Sequence, residues 1–132
     1  MADARRTLGT RGEVWAADHL QAAGFEIVAR NWRCAAGEID LVATVIAPDY
    51  STGDMAAQWL VLVEVRTRRG MRFGSARASV AAHKQAKLRE LAQRYVAETA
   101  WRGPWRIDVI AIQLLANQPP QIEHIARAVQ AE

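Results

Sequence analysis

The alternation of apolar and polar residues along the chain predicts one helix followed by three strands. A helical pattern over residues 7–23 ends at Gly24, a residue type that commonly terminates helices. Strands are predicted where apolar and polar residues alternate, because strand side chains point to opposite faces in turn. They cover residues 25–33, 38–46 and 59–67, and the last is apolar on both faces, as central strands are.

The second half of the chain predicts another helix and at least one further strand. The helix covers residues 79–99, with Ser79 as a plausible N-cap and Gly103–Pro104 beyond its end. A fourth strand is expected over residues 105–115. Residues 121–129 are expected to form either a short fifth strand or a terminal helix.

This element order and the composition fit one soluble domain. The order α-β-β-β-α-β predicts a single α/β domain over residues 1–132, with a mixed sheet flanked by helices, a flexible N-terminus at residues 1–6 and a long loop at residues 47–58. Cys34 is the only cysteine, so no intramolecular disulfide can form. The longest strongly apolar stretch, residues 59–63, is too short to span a bilayer, and we expect a cytoplasmic protein without a membrane partner.

Positive charge is concentrated in one segment. Nine of the 17 Lys and Arg residues lie between Arg66 and Arg94, and Glu90 is the only acidic residue in that span. Such a field attracts the phosphate backbone of nucleic acids. A solvated helix and loop surface explains the same charges, so the segment alone leaves both interpretations open.

Acidic side chains in the second and third strands are placed where burial is expected. By alternation, Glu38 and Asp40 share one face of the second strand, while Ile39 and Leu41 share the other. A carboxylate within the apolar face of a strand costs free energy unless it is paired or binds a metal.

The third strand repeats this feature with both signs of charge. Glu64 and Arg66 continue the face that two leucines begin, and in a hairpin Glu64 can approach Asp40. Two close carboxylates repel each other, and a divalent cation removes that penalty. The pattern therefore indicates a candidate metal site.

Each helix adds one charge to this inward-facing set. Glu13 lies in the small-residue stripe of the first helix, and Lys84 lies in the apolar stripe of the second. A buried ion-pair network, for instance Arg66 with Glu64 and Lys84 with Glu13, is the structural alternative. Because buried pairs rarely add stability over apolar residues, a cluster of this size favours a catalytic or metal-binding role.

Several of these residues also carry a resemblance to a known family. The segments involved are Gly12-Glu13, Arg30-Asn31-Trp32-Arg33, Gly37-Glu38-Ile39-Asp40-Leu41-Val42, Val63-Glu64-Val65-Arg66, Phe73-Gly74 and residues 84–88. They resemble the YraN-type family of small uncharacterised bacterial proteins. That family looks like a member of the PD-(D/E)XK nuclease superfamily, whose restriction-endonuclease-like core has the order α-β-β-β-α-β.

The resemblance implies metal-dependent hydrolysis of phosphodiester bonds, with DNA favoured over RNA as the substrate. Asp40, Glu64 and the Val65 carbonyl would bind Mg²⁺ or Mn²⁺. Glu13 matches a glutamate that some branches supply from the first helix, and Glu38 would be at best an accessory acid. A preference for branched or damaged DNA rests on analogy between folds alone.

The sequence departs from the superfamily pattern at Arg66, where a lysine is expected. Arginine stays charged and cannot act as a base, but it can bind a phosphate and stabilise its charge. We hypothesise that Lys84 supplies the missing ammonium group, with Lys87 as the fallback. A nucleic-acid-binding module without cleavage, or an adaptor whose charges serve a protein partner, are the competing functions.

Further basic residues predict a nucleic-acid contact. Following the third strand, a loop with Gly70 and Gly74 is expected to contact phosphates through four arginines, and Lys87 extends this surface. The four are Arg68, Arg69, Arg72 and Arg77. His19, His83 and His124 lack the spacing of metal ligands and are expected to be surface or structural residues. A homodimer would let a small nuclease cut both strands, but no sequence feature identifies an interface.

Overall fold

A computed structural model of the chain describes residues 4–69 and 82–129, and describes side chains over residues 10–69 and 84–129. The two helices are α1 (Ala4–Ala22) and α2 (Ala82–Thr99). The five strands are β1 (Glu26–Cys34), β2 (Gly37–Asp49), β3 (Asp54–Arg69), β4 (Trp105–Leu114) and β5 (Gln121–Val129). Over the described ranges, neither helix is long and apolar enough to cross a membrane.

The strands form one mixed sheet in the order β1-β2-β3-β4-β5. All neighbours pair in antiparallel fashion except β3 and β4, which run parallel. A parallel pair requires a crossover connection, and α2 lies in the chain between these two strands. The predicted α/β fold with the order α-β-β-β-α-β is confirmed, and residues 121–129 form the fifth strand rather than a helix.

Each helix covers one face of the sheet. The α1 face is built from Ala16, Ala17 and Leu20 packed with strand residues that include Leu41, Val61, Val63, Ile110 and Ile112. The α2 face is built from Leu88, Leu91 and Tyr95 packed with Ile39, Val42, Leu60, Leu62 and Ile107. In β3 the odd-numbered residues join the first cluster and the even-numbered residues the second, as strand alternation requires.

The predicted long loop over residues 47–58 is wrong. The β2–β3 hairpin extends through this segment and leaves only a turn between Asp49 and Asp54. The Asp49 carboxylate accepts hydrogen bonds from the backbone N–H of Ser51 at 3.1 Å and from its hydroxyl at 2.7 Å. Gly53 has a φ of 79°, a conformation that glycine adopts without steric cost. Turn-forming residues therefore marked a tight turn here.

Two other predicted boundaries fall at the edge of the described residues. A flexible N-terminus was predicted over residues 1–6. Residues 1–3 lie outside the described residues, and residues 4–6 belong to α1. The predicted N-cap Ser79 also lies outside them, and the described part of α2 begins at Ala82.

A buried carboxylate holds β4 and β5 together. The Asp108 side chain is fully buried and accepts hydrogen bonds from Arg106 Nε at 3.0 Å and from the Arg127 backbone N–H at 3.0 Å. His124 Nε2 lies 2.7 Å from its other oxygen. The predicted structural role of His124 agrees with this arrangement. Asp108 was not singled out from the sequence, although a carboxylate within an apolar strand was the signal for it.

We expect Asp108→Ala to lower the free energy of unfolding by about 3–5 kcal/mol, because it leaves the partly buried Arg106 guanidinium without its partner. Burial alone would raise the pKa of Asp108, but hydrogen bonds from His124 and Arg127 and the charge of Arg106 hold it below its ordinary value. Its contribution is therefore present above the ordinary carboxyl pKa and is lost as pH falls through the lowered one. Urea unfolding at neutral and acidic pH, beside the exposed Asp54→Ala, measures both effects. If Asp108→Ala lowers the free energy of unfolding no more than Asp54→Ala does, Asp108 does not stabilise the fold as proposed.

Candidate active site

The sheet splits into two halves at one end, and the candidate site lies in the opening. The β2–β3 ladder stops at the pair Leu41 and Val63. Beyond it, β2 stays paired with β1 as far as the turn at residues 34–37, and β3 stays paired with β4 to its last residue. The first residues of β2 and the last residues of β3 thus border a fork between strands that are no longer bonded to each other.

Asp40 occupies the start of this fork. Its Oδ2 accepts a hydrogen bond of 2.8 Å from the backbone N–H of Val65, a group that the interrupted ladder leaves without a strand partner on β2. Burial raises the pKa of Asp40, and the negative charge of Glu38 adds to this, although the Val65 N–H opposes it. The N–H and C=O of one extended residue point to the same strand edge, so the Val65 carbonyl also faces the fork.

Strand alternation breaks at Asp40. Ile39 packs into the α2-face cluster and Leu41 into the α1-face cluster, so the prediction that they share a face is wrong. The register places Asn31 of β1 across from Asp40, and Asn31 has a φ of 53°, in the left-handed region. This irregularity turns the Asp40 side chain toward the fork.

Three carboxylates from different elements meet beside the fork. Oxygen atoms of Glu13, Glu38 and Asp40 all lie within 4.8 Å of one another. Burial raises the pKa of Glu13, and the charges of Asp40 and Glu38 raise it further. Glu38 also accepts a hydrogen bond of 2.9 Å from Arg33 Nε. The structure therefore brings Glu38, expected only as an accessory acid, as close to the centre as Glu13.

Glu64 faces the fork from the α2 side, where it is 11% exposed. Burial and the charge of Asp40 raise its pKa to about 7, with Lys84 and Arg66 acting in the opposite direction. Lys84 Nζ and Arg66 Nε each lie 3.9 Å from Glu64 Oε1. The Arg66–Glu64 proximity expected in the structural alternative is present. Lys84, however, lies beside Glu64 rather than pairing with Glu13 as that alternative supposed.

The Arg66 guanidinium is incompletely satisfied. Its Nε is buried and has no hydrogen-bond acceptor among the described residues, and its distance to Glu64 exceeds hydrogen-bond length. Buried polar groups are usually hydrogen-bonded, so an unsatisfied one at a charged site is a candidate for contact with a ligand or water. Arg66 therefore lies in the site with donor capacity that the protein itself leaves unused.

Gly12 allows α1 to approach the sheet closely enough to deliver Glu13. A β-carbon at this position would collide with Thr67 Oγ1 and would lie 3.7 Å from Ile112 Cδ1. Because Glu13 is the next residue, the spacing between α1 and β3 sets how far its carboxylate reaches. The sequence offered no signal for this contact beyond a glycine inside a helix.

We expect Gly12→Ala to push α1 away from β3 and to cost about 1–3 kcal/mol of stability through overpacking. For the nuclease activity that the sequence predicts, the variant should also lower cleavage by displacing Glu13. Combining it with Thr67→Ala removes the colliding hydroxyl and should restore both properties in large part. Thermal unfolding and cleavage rates for the two single variants and the double variant measure this. Equal activity of Gly12→Ala and wild type would show that helix spacing does not matter.

The predicted nucleic-acid-binding arginines are only partly described. Arg68 and Arg69 belong to β3 rather than to the predicted loop, and Arg69 is exposed. Arg72 and Arg77 lie outside the described residues. On α2, Lys87 is half-exposed with its Nζ 3.6 Å from Glu90 Oε2. Its stem passes near Gly37, the first residue of β2, at the rim of the fork.

Comparison with known proteins identifies relatives along nearly the whole chain. A sequence model described as uncharacterised protein family UPF0102 matches residues 12–112. The UPF0102 protein of Herpetosiphon aurantiacus is 45% identical over 129 residues, 94% of each chain. That of Roseiflexus castenholzii is 46% identical over 133 residues, 98% of each chain. The chain belongs to the uncharacterised protein family UPF0102, which confirms the family resemblance that its motifs predicted.

Proposed function

We propose that this protein is a divalent-metal-dependent nuclease that hydrolyses phosphodiester bonds in DNA. One observation carries the proposal: four carboxylates and two cationic side chains converge where the sheet forks. The four carboxylates come from α1 (Glu13), β2 (Glu38 and Asp40) and β3 (Glu64). The charge of Asp40 raises the pKa of both Glu13 and Glu64. A purely structural network would not be expected to hold acids so close together, because their repulsion opposes folding.

The donor set fits a hard divalent cation. Carboxylate and carbonyl oxygens are the ligands that Mg²⁺ and Mn²⁺ take up in proteins. In this protein Asp40, Glu64 and the Val65 carbonyl would hold the ion. The three acids whose oxygens lie within 4.8 Å of one another add negative charge on the α1 side. When bound, the ion would supply Lewis-acid polarisation of the scissile phosphate.

The remaining acids are suited to handling the attacking water. In hydrolysis, the water oxygen bonds to phosphorus and the bond from phosphorus to the leaving sugar oxygen breaks. A proton of the attacking water must be accepted, and the leaving oxygen takes up a proton from solvent. Glu13 and Glu38 lie beside Asp40 with carboxylate oxygens that can accept hydrogen bonds from this water. The raised pKa of Glu13 makes its carboxylate a better proton acceptor than an ordinary one.

The two cations are suited to binding the phosphate. Arg66 has an unused buried donor, and its guanidinium can stabilise negative charge on phosphate oxygens. Lys84 Nζ lies at the same distance from Glu64 as Arg66 Nε, and the Lys84 side chain is 37% exposed, so a ligand can reach it. Lys84 would thus supply the positive charge that the superfamily pattern gives to a lysine on the strand.

A second candidate function rests on Arg66 itself. If the arginine cannot support activation of water, the same fork would bind nucleic acid without cleaving it. Such a protein would show salt-dependent affinity for nucleic acid, since phosphate contacts release counterions. It would show no strand scission under any divalent ion.

The proposed function is tested by incubating the protein with single-stranded, duplex, flap and four-way-junction DNA, each with Mg²⁺, Mn²⁺ or EDTA. Scission that requires the ion supports a nuclease, and the preferred substrate identifies its class. Retained, salt-sensitive binding without scission on all four substrates would favour the non-catalytic module. If the protein neither binds nor cuts any of the four substrates, both candidate functions are overturned and an adaptor is favoured.

We expect Lys84→Ala to reduce the cleavage rate by roughly 10–100-fold, because it removes a positive charge beside the reacting phosphate. Lys87→Ala is the matched control on the same helix, since its Nζ is turned toward Glu90. It should weaken DNA affinity and reduce its salt dependence while changing the turnover rate little. Single-turnover cleavage and binding at two salt concentrations separate the two effects. Unchanged cleavage and affinity in Lys84→Ala would rule out its proposed role.

A further inference from the structure

Asn31 is the residue that the candidate mechanism leaves unexplained. It lies in the edge strand β1, across from Asp40, with a φ of 53°. Non-glycine residues adopt this conformation uncommonly, and in a strand it interrupts regular pairing geometry. Strained backbone positions persist where the surrounding structure requires them, and they concentrate at functional sites.

The Asn31 amide lies between two of the acids. With its nitrogen toward the carboxylates, the orientation that acceptor oxygens require, it donates to Glu38 Oε1 at 2.9 Å. It also lies 3.2 Å from both Glu13 oxygens. One amide group thus links a side chain of α1 to a side chain of β2 through neutral donors.

This link opposes the repulsion within the acid cluster. The charges of Asp40 and Glu38 both raise the pKa of Glu13, whereas its hydrogen bond from Asn31 lowers it. A lysine or arginine here would also offset the repulsion, but its full charge would compete with a divalent cation for the same carboxylates. A neutral amide orders the two glutamates and leaves their charge available.

We propose that Asn31 is a positioning residue of the fork: its amide holds Glu13 and Glu38 together facing Asp40, and the left-handed backbone aims it there. This inference rests on the proposed function for its effect on cleavage. The link between Asn31 and Glu38 itself does not depend on that function. The two parts can therefore be tested separately.

Asn31→Gly separates the effect of the side-chain amide from the effect of the left-handed backbone conformation. Glycine adopts positive φ freely, so the strand geometry is retained while both hydrogen bonds are lost. We expect the variant to fold, to require roughly 10–100-fold more Mn²⁺ for half-maximal thermal stabilisation, and to lose cleavage in similar proportion. Asn117→Gly is the matched control, because Asn117 has a φ of 60° in the turn between β4 and β5. It should leave the Mn²⁺ requirement unchanged.

A double-mutant cycle in EDTA tests the link without metal or substrate. The change in melting temperature on Asn31→Gly is measured in wild type and in Glu38→Ala. If the amide acts through the Glu38 carboxylate, Asn31→Gly should lower the melting temperature by roughly 2–5 °C more in wild type than in Glu38→Ala. If Asn31 matters only through its backbone conformation, Asn31→Gly changes the melting temperature equally in wild type and in Glu38→Ala.

The outcomes distinguish the two proposals. Coupling between Asn31 and Glu38 in a protein that neither cleaves DNA nor responds to Mn²⁺ would retain the link and overturn the nuclease. Metal-dependent cleavage with no coupling, and with wild-type Mn²⁺ dependence in Asn31→Gly, would retain the nuclease and overturn the role of Asn31. Coupling together with a raised Mn²⁺ requirement supports both.

Discussion

Asp40→Asn is expected to abolish metal-dependent cleavage, with a loss on the order of 10³-fold, while the fold is retained. The amide oxygen can still accept the hydrogen bond from the Val65 N–H, so the fork keeps its shape. The variant loses the negative charge that both Glu13 and Glu64 sense. Affinity for a divalent cation should therefore fall while repulsion within the site is relieved.

This expectation is checked by cleavage rates with Mg²⁺ and Mn²⁺ beside thermal unfolding in EDTA. The metal-free variant should melt at the wild-type temperature or above it. Asp18→Asn, which changes an exposed acid on α1, is the matched control and should keep full activity. Cleavage by Asp40→Asn at the wild-type rate would remove Asp40 from the chemistry and with it the proposed metal site.

Glu64→Gln is expected to stabilise the metal-free protein above neutral pH and to eliminate cleavage. Burial and the neighbouring Asp40 charge raise the pKa of Glu64 from an ordinary 4.5 to about 7. Between these values the folded protein holds a proton that the unfolded chain has released. Stability without metal should therefore fall as pH rises from about 4.5 to 7, by up to about 3 kcal/mol, and change little from this source above pH 7. Glutamine has no proton to lose and so escapes this penalty.

Melting curves in EDTA between pH 5 and pH 8, for wild type and Glu64→Gln, measure this contribution as the difference between two profiles. Glu90→Gln is the control for removing an exposed glutamate of α2. A saturating divalent ion should raise the wild-type curve most at high pH, where the carboxylates are ionised, and should affect Glu64→Gln little. Parallel profiles for wild type and Glu64→Gln would show that Glu64 titrates normally in the folded protein.

Local patterns predicted most of the elements because these are encoded by neighbouring residues. The apolar run at residues 59–63 identified a central strand, and the stripes of the two helices identified the faces that pack on the sheet. The segment at residues 47–58 was misjudged because an exposed antiparallel hairpin needs no apolar alternation, since backbone hydrogen bonds hold its strands together. The turn residues within it were recognised, but not how short the turn is.

The same limit applies at the site. Glu13, Glu64 and Lys84 were predicted from sequence because each is a charge within an apolar stripe of its element, and Asp40 because a hairpin lets it approach Glu64. Asn31 and Gly12 carried no such signal, and the place of Glu38 was underestimated. Their roles depend on contacts with segments far along the chain, such as that of Gly12 with Thr67.

By itself, the sequence determined the α/β element order and the apolar faces of the two helices and of β3, since each follows from periodicity within one element. Only the tertiary structure decided that the sheet forks after the Leu41–Val63 pair, that Lys84 lies beside Glu64, and that Asn31 lies between two glutamates. Pairing register, a left-handed residue in a strand and the spacing between helix and sheet are set by interactions across the whole fold. These features bring half-buried charges from separate elements together into a candidate metal site.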